Sequence, residues 1–106
     1  MNILDVINEI IIEKVNPDKI ILFGSRARGD NKLDSDYDIL ILKDNISDRA
    51  VVGMIYKEFF YRKINVAVDL LTLDNKKYDD LNEVNGYVYK QIKKEGKVIW
   101  SRTENG

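Results

Sequence analysis

The chain has 106 residues, 44% of them hydrophobic, which is typical of one globular domain with a single core. Its 17 Lys and Arg residues nearly balance 18 Asp and Glu residues, so there is no overall basic field and we expect no direct nucleic-acid role. Because Cys and His are both absent from the sequence, disulfide frameworks, zinc sites, catalytic thiols and Ser-His-Asp triads are excluded.

The first part of the chain predicts a helix followed by two strands. Apolar residues recur at helical spacing over residues 3–14, and Asn16-Pro17 ends this helix. Acidic residues interrupt the same segment, so we expect neither a signal peptide nor a membrane span, and a cytoplasmic protein. Residues 19–24 and 37–42 are short apolar runs that predict buried strands.

The second part predicts alternating helices and strands. After a cap at Ser47-Asp48, residues 48–62 should form a helix with one apolar stripe against the sheet. The stripe consists of Val51, Val52, Ile55, Phe59 and Phe60. A third strand over residues 65–73, a short polar helical segment after Asp74-Asn75, a helix over residues 83–94 and a strand over residues 98–100 complete the pattern. We therefore expect an α/β or α+β fold, as a single domain over residues 1–100, with a polar tail at residues 101–106.

The stretch GSRARGDNKLDSDYDIL, residues 24–40, carries several carboxylates into an apolar run. Asp36 and Asp38 lie on alternate residues at the entrance of a strand, so they point to the same side, about 6.5 to 7 Å apart. Asp69 is the charged residue of the third strand, and pairing of neighbouring strands can bring it to the same place. Oxygen ligands without His or Cys suit Mg²⁺ or Mn²⁺, which predicts a two-metal site that acts on a phosphoryl group.

Gly24-Ser25 is a candidate phosphate cradle. Glycine allows close backbone approach, Ser25 offers a hydroxyl, and the residues that follow can begin a helical turn with its amides toward an anion. Arg26 and Arg28 add positive charge, and either can contact phosphates or hold the acidic loop. We expect only one of the two to contact nucleotide.

Gly24-Ser25, ten intervening residues, Asp36-Tyr37-Asp38 and a later strand with Asp69 resemble the signature of the DNA polymerase β-type nucleotidyltransferase superfamily. Within it, GSRARGD followed by SDYDILIL in so short a chain is similar to the minimal nucleotidyltransferases, called MntA-like antitoxins when encoded beside a HEPN ribonuclease toxin. The resemblance spans nearly the whole chain. It implies a polymerase β-like fold, a small mixed sheet flanked by helices. It also implies Gly24 and Ser25 on the triphosphate, Asp36 and Asp38 on both metals, and Asp69 on the catalytic metal.

The resemblance further implies an Mg²⁺-dependent enzyme that moves AMP from ATP to an acceptor hydroxyl, a tyrosine of a HEPN-type toxin, within a hetero-oligomer. Larger members carry a second helical domain, whereas this chain ends at Gly106, so we expect a partner to supply that surface. Two alternatives stay open: an antitoxin that inhibits by binding and occlusion, and a nucleotidyltransferase subunit for a small molecule such as an antibiotic.

Other features have simpler interpretations. A calcium loop that begins at Asp34 would need Gly in place of Ile39 and Glu in place of Asn45, so Asp34 is an ordinary loop residue. Lys93-Lys94 suit the end of a helix through its dipole. The aromatic residues are predicted to pack, namely Tyr56, Phe59, Phe60 and Tyr61, or to lie in the core or on a partner surface, namely Tyr87, Tyr89 and Trp100.

Overall fold

The computed structural model describes residues 2–46, 48–80 and 87–102, which form five helices and one four-stranded sheet. The helices are α1 (Ile3–Val15), α2 (Ser25–Arg28), α3 (Asp48–Tyr61), α4 (Asn75–Asp79) and α5 (Tyr87–Glu95). The strands are β1 (Lys19–Phe23), β2 (Tyr37–Leu42), β3 (Val68–Leu73) and β4 (Lys97–Ser101). The predicted α/β fold is confirmed.

The sheet is mixed, with the strand order β3-β2-β1-β4. β1 runs antiparallel to both β2 and β4, whereas β2 runs parallel to β3. The parallel pair requires a long crossover connection, and α3 provides it. As a result, the end of β1 and the beginnings of β2 and β3 meet at one edge of the sheet.

Helices cover both faces of the sheet. On one face, α1 and α3 pack on a cluster of buried residues that includes Ile10, Ile39 and Ile55, all fully buried. On the other face, Ile92 of α5 packs against Leu40 of β2. β2 is therefore buried on both sides, which explains why YDILIL is a continuous apolar run rather than an alternating one.

Local capping sets the bounds of α1 close to the prediction. The Asn2 side chain accepts a hydrogen bond of 2.9 Å from the Asp5 amide at the start of the helix. At the other end Asn16 adopts a left-handed conformation with φ 51°, and Pro17 follows. The predicted helix over residues 3–14 is thus confirmed, with one further residue, Val15.

Three bounds or orientations differ from the sequence interpretation. β3 begins at Val68 rather than at residue 65, because Val68 pairs with Tyr37, the first residue of β2, and earlier residues have no strand beside them. Phe60 is 81% exposed, since a helix turns about 100° from the buried Phe59 to the next residue. The segment assigned to a tail starts later, because Ser101 belongs to β4 and the Arg102 side chain donates to the carbonyls of residues 16 and 17.

Some predictions fall outside the described residues. They concern the cap at Ser47, the beginning of the helix predicted over residues 83–94, and the tail from residue 103 onward. Within the described ranges, no helix combines the length and the apolar character needed to cross a membrane.

Candidate active site

The turn after β1 is shaped by close contact with Asp38. Gly24 has φ 73°, a conformation that side-chain-bearing residues rarely adopt. The antiparallel register places Phe23 opposite Asp38, so the backbone of Gly24 lies directly against that carboxylate. A Cβ atom added to Gly24 would lie 2.2 Å from Asp38 Oδ2, closer than any two such atoms can approach. Glycine is therefore required here for both backbone conformation and space.

Asp38 and Asp69 are neighbours in the sheet. The parallel register of β2 and β3 pairs them directly, and the two carboxyl groups are close enough for a hydrogen bond. Burial raises the pKa of Asp38, and the negative charges of Asp69 and Asp36 and the hydrogen bond to Asp69 raise it further. The juxtaposition expected from the sequence therefore exists, and it concentrates negative charge at this edge of the sheet.

Asp36 is held less firmly than the other two aspartates. It precedes the first residue of β2 and so lies outside the sheet; like Asp69 it is exposed, and its charge still acts on Asp38. Over residues 2–46, 48–80 and 87–102, no three Asp, Glu, His or Cys side chains are arranged so that they could hold a metal ion. The sheet thus fixes a pair of carboxylates, and the third lies on the adjoining loop.

The donor chemistry at this edge fits a hard divalent cation. The acidic groups supply oxygen ligands alone, and Asp38 sits among negative charges that raise the pKa of its carboxyl. In the described part of the chain, none of Asp36, Asp38 and Asp69 forms a salt bridge with Lys or Arg. Asp38 and Asp69 are therefore the fixed pair of carboxylates that could hold Mg²⁺ or Mn²⁺, and Asp36 would have to move with its loop to complete the site.

The two arginines of the motif have different surroundings. Arg26 donates hydrogen bonds of 3.0 Å to the Ser35 carbonyl and 3.1 Å to the Leu33 carbonyl, and its guanidinium lies 4.0 Å from the centre of the Tyr37 ring. Arg26 thus holds the acidic loop. Arg28 pairs with Asp30 at 3.1 Å and with Glu95 at 3.2 Å, and its charge lowers the pKa of Asp38. Of the two, Arg28 is the one whose exposed guanidinium acts on Asp38.

Ser25 opens α2, the helical turn that the sequence predicted after the glycine. The amides of Ala27 and Arg28 donate to the Gly24 carbonyl, at 3.1 Å each. The amides of Ser25 and Arg26 precede these bonds in the first turn of the helix, where no intrahelical acceptor exists for them. Together with the Ser25 hydroxyl, they are groups that can donate to an anion.

Tyr56 is a residue near the site that the sequence assigned to packing alone. Its hydroxyl donates to the Val68 carbonyl at 2.7 Å and accepts from the Leu70 amide at 3.2 Å, on either side of Asp69. A tyrosine on a helix next to apolar residues gives no signal of such contacts, because they depend on how α3 lies against β3.

The comparisons with known proteins agree with this geometry. Residues 5–105 match the family described as polymerase beta, nucleotidyltransferase. The fold is similar to a crystal structure of a toxin-antitoxin with AMP-PNP, with a TM-score of 0.68 and 22% identity over 98% of this chain and 76% of that one. It is similar to a mutant of the toxin-antitoxin MntA-HpeT, with a TM-score of 0.67 and 21% identity over 98% and 76%.

A further similar structure contains tri-AMPylated Shewanella oneidensis HEPN toxin in complex with MNT antitoxin. Its TM-score is 0.61 at 20% identity, over 93% of this chain and 70% of that one. At such identities the likeness establishes the fold alone, and curated proteins give no match. The family match, however, covers nearly the whole sequence. The chain therefore belongs to the polymerase beta nucleotidyltransferase family.

Proposed function

We propose that this chain is an antitoxin that transfers AMP from ATP to a tyrosine hydroxyl of a HEPN-type toxin. The observation that carries the proposal is the meeting of Gly24, Asp38 and Asp69 at one edge of the sheet, in a chain of this family. Similarity in fold to toxin-antitoxin structures, one with AMP-PNP and one with an AMPylated HEPN toxin, supports the choice of nucleotide and acceptor.

In the proposed reaction, the acceptor hydroxyl loses its proton to water and its oxygen bonds to the α-phosphorus of ATP. The bond from that phosphorus to the bridging oxygen breaks, and pyrophosphate leaves with its electron pair. When bound, two Mg²⁺ ions, or Mn²⁺, supply charge neutralisation and lower the pKa of the acceptor hydroxyl. Asp36 and Asp38 would hold both ions, and Asp69 would complete the site of the catalytic one. The concentration of negative charge around Asp38 supports this assignment.

The phosphate-binding groups come from the turn after β1. Gly24 lets the triphosphate approach the backbone, and the Ser25 hydroxyl and the first amides of α2 donate to its oxygens. Arg28 balances phosphate charge from an exposed position. Arg26 acts indirectly, because its contacts with the loop keep Asp36 beside β2.

A protein acceptor must reach this edge of the sheet. Leu33, on the loop that Arg26 holds, is fully exposed and offers an apolar contact three residues before Asp36 in the chain. We propose that the toxin docks over this loop and that the functional unit is a hetero-oligomer.

The experiment is to incubate the chain with the HEPN protein encoded beside it, ATP and Mg²⁺, and then to measure both intact masses. We expect the HEPN protein to gain one or more AMP masses, located on a tyrosine by peptide mapping. The Asp36→Asn/Asp38→Asn variant should abolish the gain. The matched control is Asp44→Asn, an aspartate beyond the far end of β2, which should preserve it.

The same samples separate the alternatives. If the HEPN ribonuclease is inhibited equally by the wild-type chain and by the Asp36→Asn/Asp38→Asn variant, with no change in mass, the transfer proposal is wrong and occlusion explains the inhibition. If the HEPN protein is neither bound nor modified, whereas a small hydroxyl compound gains AMP, the acceptor assignment is wrong.

A further inference from the structure

The Tyr56 hydroxyl of α3 binds the outer edge of β3 beside Asp69. β3 is an edge strand, and Asp69 pairs with Asp38 of β2 on its inner side. The neighbouring residues, Val68 and Leu70, direct a carbonyl and an amide outward, and the Tyr56 hydroxyl binds both, at 2.7 and 3.2 Å. One hydroxyl therefore bridges the backbone immediately before and immediately after the carboxylate.

Tyr56 is itself well anchored. Its ring meets Phe59 edge to face, with 6.0 Å between ring centres, and Phe59 belongs to the main core cluster. Burial raises the pKa of the Tyr56 hydroxyl and the negative charge of Asp69 raises it too, while the Leu70 hydrogen bond acts in the opposite direction. The 2.7 Å contact identifies the hydroxyl as the donor to the Val68 carbonyl.

We propose that Tyr56 is a positioning residue for the transfer reaction, which holds the backbone around Asp69 so that its carboxylate meets that of Asp38. This inference rests on the proposed function, because it assigns Tyr56 a role in the same metal-binding site. Tyr56 touches no reacting atom in this arrangement. It acts through Asp69, whose side chain would otherwise move with an edge strand that has β2 on one side only.

The test is a double-mutant cycle between Tyr56 and Asp69, read out by Mn²⁺ binding in the presence of a nonhydrolysable ATP analogue. Tyr56→Phe removes the hydroxyl and keeps the ring against Phe59, so we expect the variant to fold. We expect its Mn²⁺ dissociation constant to rise about tenfold, the size expected for removal of a partner that orients a metal ligand. In an Asp69→Asn background, Tyr56→Phe should change Mn²⁺ binding less than twofold.

A purely structural contact predicts a different result. It would lower thermal stability and leave the Mn²⁺ dissociation constant of the folded variant unchanged, or change it equally in both backgrounds, and either outcome overturns the inference. Tyr89→Phe is the matched control, because Tyr89 is a half-buried tyrosine that packs on the other face of the sheet. Circular dichroism at the assay temperature verifies that each variant is folded.

Transfer kinetics complete the test and keep the two proposals distinguishable. If Tyr56 positions Asp69, Tyr56→Phe should lower kcat about tenfold and raise the Mg²⁺ concentration for half-maximal rate, with a smaller change in KM for ATP. If the wild-type chain binds Mn²⁺ and nucleotide but transfers nothing, the proposed function fails, whereas the cycle still decides whether Tyr56 acts through Asp69.

Discussion

Three aspartates lie near each end of the central strands β1 and β2, and their surroundings differ between the two ends. At the far end, Asp18 accepts from the Asn75 side chain at 2.7 Å and pairs with Arg102 at 3.5 Å. Asp44 accepts from the backbone and the side chain of Asn75, and Asp74 accepts from the Asn45 amide. Every carboxylate there has a donor.

At the near end, the sheet pairs Asp38 with Asp69, and Asp36 adds a third negative charge from the adjoining loop. Burial raises the pKa of Asp38, and the negative charges of Asp69 and Asp36 raise it further. Carboxylates with donors stabilise a fold, whereas carboxylates that face one another cost stability and need a function to explain them. Four substitutions would test this contrast, in order of decreasing expected effect.

Gly24→Ala should lower the rate of AMP transfer about 100-fold, because the new Cβ displaces the Asp38 carboxylate by about an ångström or more. Gly29→Ala is the control: Gly29 also has positive φ, at 86°, but an added Cβ meets nothing within 4 Å. It should lose stability and keep most of its activity. Equal losses of activity in both variants, measured as initial rates, would show that backbone strain alone is responsible.

Arg26→Ala should raise KM for ATP about tenfold, the effect of losing a hydrogen bond from a charged group. The loop then loses its ties at the Leu33 and Ser35 carbonyls, and Asp36 moves with it. Amide hydrogen exchange over residues 30–36 should become faster. Arg62→Ala, which removes ion pairs with Glu13 and Glu58 on α1 and α3, should change neither KM nor exchange in the loop.

Asn75→Ala should lower the free energy of unfolding by about 1 kcal/mol, since the Asp18 and Asp44 carboxylates lose a shared donor. The rate of transfer should not change at a temperature where the variant is folded. Urea unfolding measures the first quantity, with Asn65→Ala, at an exposed site, as the control. A variant that is stable but inactive would contradict the idea that the far-end aspartates serve stability and the near-end aspartates serve transfer.

Asp38→Asn should stabilise the protein slightly in the absence of divalent cations. A raised pKa means that the folded state binds the Asp38 proton more tightly than the unfolded state does. The contribution of the protonated Asp38 carboxyl to wild-type stability is therefore lost as pH rises from about 4 through its raised pKa, and this loss persists at neutral pH. Thermal unfolding at a series of pH values should show a higher unfolding temperature for the variant than for the wild type above that pH range, and equal unfolding temperatures below it. A less stable variant at pH 7 would contradict repulsion at this end.

The sequence predicted the fold and the position of the motif because both depend on local pattern. Apolar spacing predicted α1, β1 and β2 nearly to the residue, and Gly24 marked the turn. Local pattern does not determine the register between strands. The pairing of Asp38 with Asp69, for example, depends on where α3 ends and β3 begins. The sequence allowed that pairing, and only the folded sheet determines it.

The contacts of individual side chains were less predictable. The sequence did not show whether Arg26 or Arg28 holds the acidic loop. Both precede the same carboxylates, and they differ only in the direction in which their side chains leave the short helix α2. The bridging role of Tyr56 was missed for the same reason: its partners are backbone groups of a distant strand. Such contacts arise from tertiary packing, and no residue spacing in the sequence indicates them.

The Tyr56 bridge has one more consequence, which concerns aggregation. An edge strand with unpaired outward amides and carbonyls is a template on which a strand of another molecule can add. The Val68 carbonyl and the Leu70 amide are already bonded to the Tyr56 hydroxyl, so an incoming strand would first have to displace the tyrosine from them. The hydroxyl that bridges the backbone on either side of Asp69 therefore also protects the outer side of β3 from self-association.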